Sequence, residues 1–388
     1  MNTTVYLIRH AEAEGNVYRR CHGQYDSLLT PRAYEQLPCL AKRFEHVALD
    51  AIYSSDLFRA RTTAGAIAGA KGMRVEIRPI LREIDMGDWE DLTWAELPLF
   101  WPEEYANWRS RPWDAVPPHG ESVICSGERM LNGVRDLVRE RDGQTIAVVT
   151  HGSAIRGALT LAHGWKAEQM GEIGWGDNTC VAKLEFDGPD KVEVIYENDA
   201  SHLPAALSTF AALGWKDAKG APTTQQVWFR RANPLDDADA SEIIRYMREL
   251  HQNAYGTDSN LHPDELLERV AAMQKICPRS VTFGILPDTG DTAALVLMDT
   301  TKQDEPEVGM VGGFCIDEKY RGGGLSQQIL GQAISVYRGL GKTYLCAHVA
   351  EHNERAKGFY HKFSFEQRGE HVNENGKHYR MFKRIAID

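Results

Sequence analysis

The 388-residue chain has little of what marks membrane, secreted or metal-stapled proteins. No apolar run approaches the ~20 residues that span a bilayer, so no transmembrane segment is expected. Val5–Ile8 is apolar, but Arg9 and His10 follow at once, which is not a signal-peptide pattern. Cysteine is sparse and scattered, at positions 21, 39, 125, 180, 277, 315 and 346, with no Cys-x-x-Cys pair. Seven unpaired positions give neither a disulfide framework nor a structural zinc site, and they suit a reducing compartment. Positive charge is outweighed, 44 Lys and Arg against 55 Asp and Glu, for a net charge of -11. Neither nucleic acid nor an anionic membrane is therefore expected as a partner. Repeats and low-complexity tracts are absent, and no His/Cys/Asp cluster has metal-ligand spacing. These exclusions leave a soluble, cytoplasmic protein without a metal. Its 43% hydrophobic and 26% charged residues are ordinary globular values, and its length suits two or three domains.

Short apolar runs at Val5–Ile8, Ala51–Ser54, Val75–Ile77 and Ile146–Thr150 read as strands. Helical patterns such as Arg59–Ala70 and Gly127–Glu140 lie between them; Met130, Leu131, Val134, Leu137 and Val138 form one face of the latter. Strands alternating with helices predict an α/β fold with a largely parallel sheet, whose ligands bind at the carboxyl ends of strands. Two alternating runs, Val181–Glu185 and Val192–Tyr196, close this half. Little periodicity survives from Ser208 to Gln226. We assign a first domain to 1–210, a linker to 211–226 and a second domain to 227–388. In the second domain, Asp239 and Glu242 suggest a capping box opening a helix with Ile243, Ile244, Met247 and Leu250 on one face.

The predicted strand ends of the first domain gather reactive residues. Arg9 and His10 end one strand, with Asn16 shortly after. Ser54-Ser55-Asp56-Leu57-Phe58-Arg59-Ala60 ends a second and opens a helix. Glu83-Ile84-Asp85-Met86-Gly87-Asp88-Trp89-Glu90 follows a third, and His151-Gly152 a fourth. Two arginines, two histidines and an amide suit a phosphate dianion, because guanidinium groups offer planar bidentate donors to its oxygens. A neutral imidazole can accept a phosphoryl group. A carboxylic acid must protonate the leaving oxygen; Glu83 is the first choice and Asp85 the rival. Singly, an Arg-His pair or a His-Gly is usually surface or turn chemistry; the ordered set at strand ends argues otherwise.

That set resembles the histidine phosphatase (phosphoglycerate mutase-like) superfamily over roughly residues 3–205. The resemblance includes Arg9–Asn16, Leu29-Thr30-Pro31, the Ser-Ser-Asp-Leu-x-Arg-Ala run, the Glu-x-x-x-Gly-x-Trp-Glu run, Gly120-Glu121-Ser122, Thr150-His151-Gly152 and Asn198–Leu203. It implies a three-layer domain, a mostly parallel sheet with helices on both faces. It implies His10 as phosphoryl acceptor, Arg9, Asn16, Arg59 and His151 as phosphate ligands, Glu83 as proton donor, and no metal. Ala11 and Ala33 stand where glycines are usual. Five of the nine tryptophans fall in 89–113, a specificity insert whose rings could stack on a substrate or, as we favour for most, pack a lid. The insert and Pro117–Ser122 favour a small-metabolite phosphatase over a mutase.

In the second domain a strand at Val311–Ile316 runs into Tyr320-Arg321-Gly322-Gly323-Gly324-Leu325-Ser326 and then a helix. Glycines before a helix start let backbone N–H groups approach a pyrophosphate. The spacing is neither a Walker loop nor a dinucleotide fingerprint. With Asn353–Phe365, this segment resembles the Gcn5-related N-acetyltransferase (GNAT) family, a mixed α/β fold, over roughly 227–385. The resemblance implies acetyl-CoA held by Ile316, Arg321, Gly322, Gly323, Gly324, Ser326 and Asn353, with Tyr360 as general acid near the thioester sulfur. Ser326 and Ser364 replace usual small residues. No general base stands out among Glu305, Glu307 and Asp317. The expected protein is bifunctional: it hydrolyses a small phosphorylated metabolite and acetylates an amine acceptor. A mutase first domain, or a non-catalytic CoA-binding module as the second, are the alternatives.

Overall fold

A computed structural model describes residues 2–213, 225–302, 305–373 and 375–387. They fall into two compact units, one ending at Leu213 and the other beginning at Gln225. Most of the expected linker, 214–224, lies outside the described residues. Residues 211–213, assigned to that linker, instead belong to a helix, Thr209–Leu213, with Leu213 buried in the first unit. The physical reason is that Leu213 and Thr209 find burial there, a contact that weak periodicity does not report.

The first sheet contains β1 (Asn2–Arg9), β2 (Ala51–Ser54), β3 (Val75–Ile77), β4 (Thr145–Thr150), β5 (Val181–Asp187) and β6 (Lys191–Asp199). Their order is β3-β2-β4-β1-β5-β6. The first four run parallel, and β5 and β6 add antiparallel. Alternation along the central strands sorts side chains to two cores. Val5, Leu7, Ile146 and Val148 meet Met130, Val134 and Ile155 from the helices Val123–Glu140 and Gly152–Ala162. Ile8, Ile52, Ala147 and Val149 meet Leu40, Ala60, Ala64 and Ile67 from the helices Pro31–Arg43 and Phe58–Lys71. This is the three-layer arrangement expected.

Local chemistry sets the helix starts. Thr30 accepts from Ala33 N at 3.3 Å with Pro31 in the first turn, and Ser122 accepts from Cys125 N at 3.1 Å. The helices Val123–Glu140 and Gly152–Ala162 touch backbone to backbone: a Cβ on Gly127 would lie 2.3 Å from Gly157. The tryptophan-rich insert packs as a cluster. Trp89 is fully buried and meets Trp108 edge-on at 5.8 Å, with Trp94, Trp101 and Trp113 half-buried around it.

The second sheet contains β7 (Trp228–Arg231), β8 (Val281–Ile285), β9 (Thr292–Asp299), β10 (Val308–Ile316), β11 (Tyr344–Ala350), β12 (Glu366–Asn373) and β13 (Gly376–Arg384). Their order is β12-β13-β11-β10-β9-β8-β7. Strands β10 and β11 are parallel neighbours, but their pairing runs only from Val308↔Tyr344 to Val311↔Ala347. Beyond Val311, where β10 also breaks register with β9, the two strands part. The helix opening this unit starts at Asp237, capped by Asp236, which accepts from Asp239 N at 3.0 Å. The expected Asp239–Glu242 capping box is thus corrected. Asp239 lies inside the helix because its carboxylate takes a bidentate bond from Arg230, at 2.7 and 2.8 Å. Among the described residues no helix is long and apolar enough to cross a membrane.

Candidate active sites

Register brings the first site together. Arg9 pairs with Thr150 across β1 and β4, and His10 N donates to Thr150 O at 3.0 Å, so His10 and His151 leave adjacent strands side by side. Their rings lie 5.2 Å apart. On the far side of β4, Ser55 N donates to Val149 O, which carries Ser55 to the same sheet end. Arg59 follows on the first turn of the helix Phe58–Lys71 and is buried.

Each of these side chains is oriented by specific bonds. His10 Nδ1 lies 2.7 Å from Ala11 O. A carbonyl can only accept, so Nδ1 carries the proton and Nε2 keeps its lone pair. Burial, then the Arg59 and Arg9 charges, push the imidazole well below its usual value, so His10 is neutral at pH 7. His151 Nε2 meets Ser55 Oγ at 2.7 Å. Ser55 Oγ also accepts from Leu57 N at 3.4 Å, and when its own proton goes to Nε2 the His151 proton stands on Nδ1. Burial and the Arg59 charge push His151 well down too. Arg9 donates to Gly176 O at 2.6 Å, and Arg59 donates to Gly23 O at 2.6 Å and Tyr25 O at 2.9 Å. Arg9 Nε and His151 Nδ1 are buried donors without a protein partner, a pair that fits an anion.

Glu83 sits over the start of the helix Gly152–Ala162. Its Oε1 accepts from Ile84 N at 3.0 Å and Ala154 N at 2.9 Å, and its Oε2 from Ser153 N at 3.1 Å. Asn16 stands further out: its Oδ1 accepts from Ala13 N at 3.0 Å, and Asn178 bridges it to His10 O. Asp85, the rival acid, is occupied in its own turn by Gly87 N at 2.9 Å.

Three supporting residues were not singled out from the sequence. Ser55 engages Nε2 of His151 and so orients its ring. Asn178 holds His10 O at 2.9 Å. Glu90 accepts from Gly23, Gln24, Tyr25 and Met86 N–H groups, and so shapes the loop that receives Arg59. The Trp89-Glu90 pair was a visible signal for the last; the others act across long sequence separations.

In the second unit, the parted strands β10 and β11 open onto a cavity of about 290 Å³, lined by Ile316, Arg321, Ser326, Asn353 and Tyr360 among others. The turn before the helix Leu325–Gly339 places Gly322 at φ 84° and Gly324 at φ 83°, conformations that favour glycine. Gly322, Gly323 and Gly324 form this turn rather than the cavity wall. Arg321 donates to Ile316 O at 3.0 Å and pairs with Glu249. Asn353 caps the helix Glu354–Lys362 through Ala356 N at 3.0 Å. Tyr360 is buried between Phe359 and Phe365, and burial raises its phenol well above the usual value. Glu305 pairs with Arg380, and Asp317 with Arg245 at 3.4 Å; neither lines the cavity.

The match to known families agrees with this geometry. Residues 5–199 match the histidine phosphatase superfamily (branch 1). The chain belongs to that superfamily. Residues 244–365 match the acetyltransferase (GNAT) family, so the chain carries one domain from each of two enzyme families. The "Probable phosphoglycerate mutase GpmB" of Escherichia fergusonii is 37% identical over 155 residues, covering 39% of this chain and 70% of that protein. Phosphoserine phosphatase 1 of Hydrogenobacter thermophilus is 33% identical over 197 residues, covering 51% of this chain and 92% of that protein. The solved structure of Bacillus stearothermophilus YhfR has 33% identity and a TM-score of 0.50, covering 52% of this chain and 98% of that one.

Proposed function

We propose that the histidine phosphatase domain hydrolyses a small phosphomonoester through a phosphohistidine at His10. The Nδ1 bond of His10 to Ala11 O carries this reading, because it leaves a neutral Nε2 lone pair in a site that also holds the unpaired Nε–H of Arg9. Arg9, Arg59, Asn16 and the Nδ1–H of His151 bind the phosphoryl oxygens and offset charge as it develops. Nε2 attacks phosphorus, the bond to the leaving oxygen breaks, and Glu83 gives that oxygen its proton. Oε2 of Glu83 takes one backbone bond where Oε1 takes two, so Oε2 has room for the proton. A water then attacks phosphorus, Glu83 recovers a proton from it, and the N–P bond breaks to release phosphate and neutral His10.

A phosphoryl-transfer variant is favoured by the 37% identity to a relative named as a phosphoglycerate mutase. A metabolite panel including phosphoserine and phosphoglycerate, run on wild type and His10→Ala, separates the readings. Phosphate release that stops in His10→Ala supports hydrolysis; isomerised product without phosphate supports the mutase; equal release by both proteins rejects His10.

The GNAT domain, in the same proposal, transfers an acetyl group to an amine. Its residues fit acetyl-CoA: glycines in the left-handed region bring backbone N–H groups to a helix start, beside a cavity between parted strands. Bound there, acetyl-CoA would supply the activated thioester. Ile316 and the 321–326 turn, with Asn353, would hold it, and Tyr360 holds a proton at Oη for the departing sulfur. Acetyl-CoA that binds but is turned over with no amine would instead mark a CoA-binding module.

A further inference from the structure

The family match ends at residue 199, yet a strap, residues 205–213, packs on the first unit beyond it. Gln36 donates to Leu207 O at 2.8 Å and to Thr209 Oγ1 at 3.1 Å while accepting from Glu12 N at 2.9 Å. Asp177 accepts from Ser208 Oγ at 2.5 Å and Thr209 N at 3.2 Å. Arg19, itself buried, donates to Leu213 O at 3.0 Å. Asp177 lies between Gly176, which receives Arg9, and Asn178, which receives nothing from the strap but holds His10 O. The strap and the reacting strand end therefore hang on one three-residue loop. The side chain that the strap extends toward the site is Phe210, whose ring lies 5.9 Å from the Arg9 guanidinium carbon.

We propose that Phe210 is a positioning residue for Arg9, fixing the guanidinium plane so that its Nε faces the phosphoryl group. Gly176 O holds one edge of the guanidinium, and the guanidinium carbon stands over the Phe210 ring within cation–π range. Gly152 bounds Nε, since a Cβ there would lie 3.2 Å away. One hydrogen bond leaves a planar group free to swing about that bond; the attraction of the cation to the ring beneath it restrains the swing. The inference rests on Arg9 binding phosphate, as proposed above.

The test is a substitution series in the full chain: Phe210→Leu, Phe210→Tyr and Phe210→Trp, with p-nitrophenyl phosphate as substrate and inorganic phosphate as competitive inhibitor. Leucine keeps apolar volume and removes the π face. Phe210→Leu should raise both KM and the phosphate inhibition constant about fivefold, with kcat changed less than about twofold, the scale of one cation–π contact. Tyrosine and tryptophan should restore wild-type values. Leucine behaving as wild type, or all three variants being equally impaired, would overturn the proposal by leaving Phe210 a packing residue or none at all. Wild-type protein that neither hydrolyses p-nitrophenyl phosphate nor binds phosphate would overturn the phosphatase reading, and this inference with it.

Discussion

Ser55→Ala removes one hydroxyl and should disable His151 without touching the phosphoryl acceptor. The Ser55 Oγ to His151 Nε2 distance is 2.7 Å and both residues are fully buried. Truncation leaves Nε2 unpaired in a dry site, a loss of about 1–3 kcal/mol. It also frees the proton to sit on Nε2, where Nδ1 would turn a lone pair toward an anion. If that loss is felt in full at the transition state, kcat/KM falls about 5- to 150-fold. The assay is phosphate release under kcat/KM conditions, beside a thermal melt. Ser54→Ala is the matched control. Its hydroxyl donates to Ser55 O at 2.8 Å and is equally buried, so the variant loses a hydrogen bond but leaves His151 alone. Both variants should lose stability, and the first alone should lose most of its activity. Wild-type turnover in Ser55→Ala, or equal activity loss in the two, would refute the assignment of His151 through Ser55.

Glu83→Gln should slow hydrolysis of alkyl phosphates about 100-fold and of p-nitrophenyl phosphate far less, because acid assistance matters most for a basic leaving oxygen; the ratio of kcat/KM for the two substrates is the measurement, and equal losses would exclude the acid role. Tyr360→Phe should keep acetyl-CoA affinity, read by calorimetry, and lose about 100-fold in acetyl transfer across an amine panel; retained transfer would make Tyr360 a core aromatic. Stability of the first unit should fall as pH drops below 6.5, the ordinary histidine value. His10 and His151 are held well below it in the fold, so the unfolded chain binds their protons first. Each contributes up to about 1.4 kcal/mol per pH unit in that window, with the full contribution present above it. Melting temperature against pH for wild type and His10→Gln checks this, and identical slopes would argue against a buried neutral His10.

What the sequence made legible were features carried by local pattern. Short apolar runs marked β2 and β3 to the residue, and an apolar face marked the helix Val123–Glu140 from Gly127 onward, since each pattern is created by the core that buries it. The groups that meet at the first site, Arg9, His10, Arg59, Glu83 and His151, were visible because their motifs sit at strand ends. Their couplings were not. Ser55 reaches His151 and Asn178 reaches His10 only after β1, β2 and β4 are in register, and nothing in either residue's neighbours records that. The Asp236 cap was hidden by a more familiar spacing at Asp239, and that spacing lost to a two-point bond from Arg230. Phe210 lay in a stretch without periodicity, because one ring and a few backbone groups hold it there rather than an amphipathic face.

The position of β4 between β1 and β2 has a consequence for how the first domain comes into being. Both of its sheet neighbours are made before it, and the Arg9–Thr150 pairing closes a loop of about 140 residues, a costly non-local contact. A ribosome that has delivered β1, β2 and β3 has delivered edges with no common partner. His10 gains the company of His151 when that late strand slides in, so chemistry and completed topology arrive in the same event.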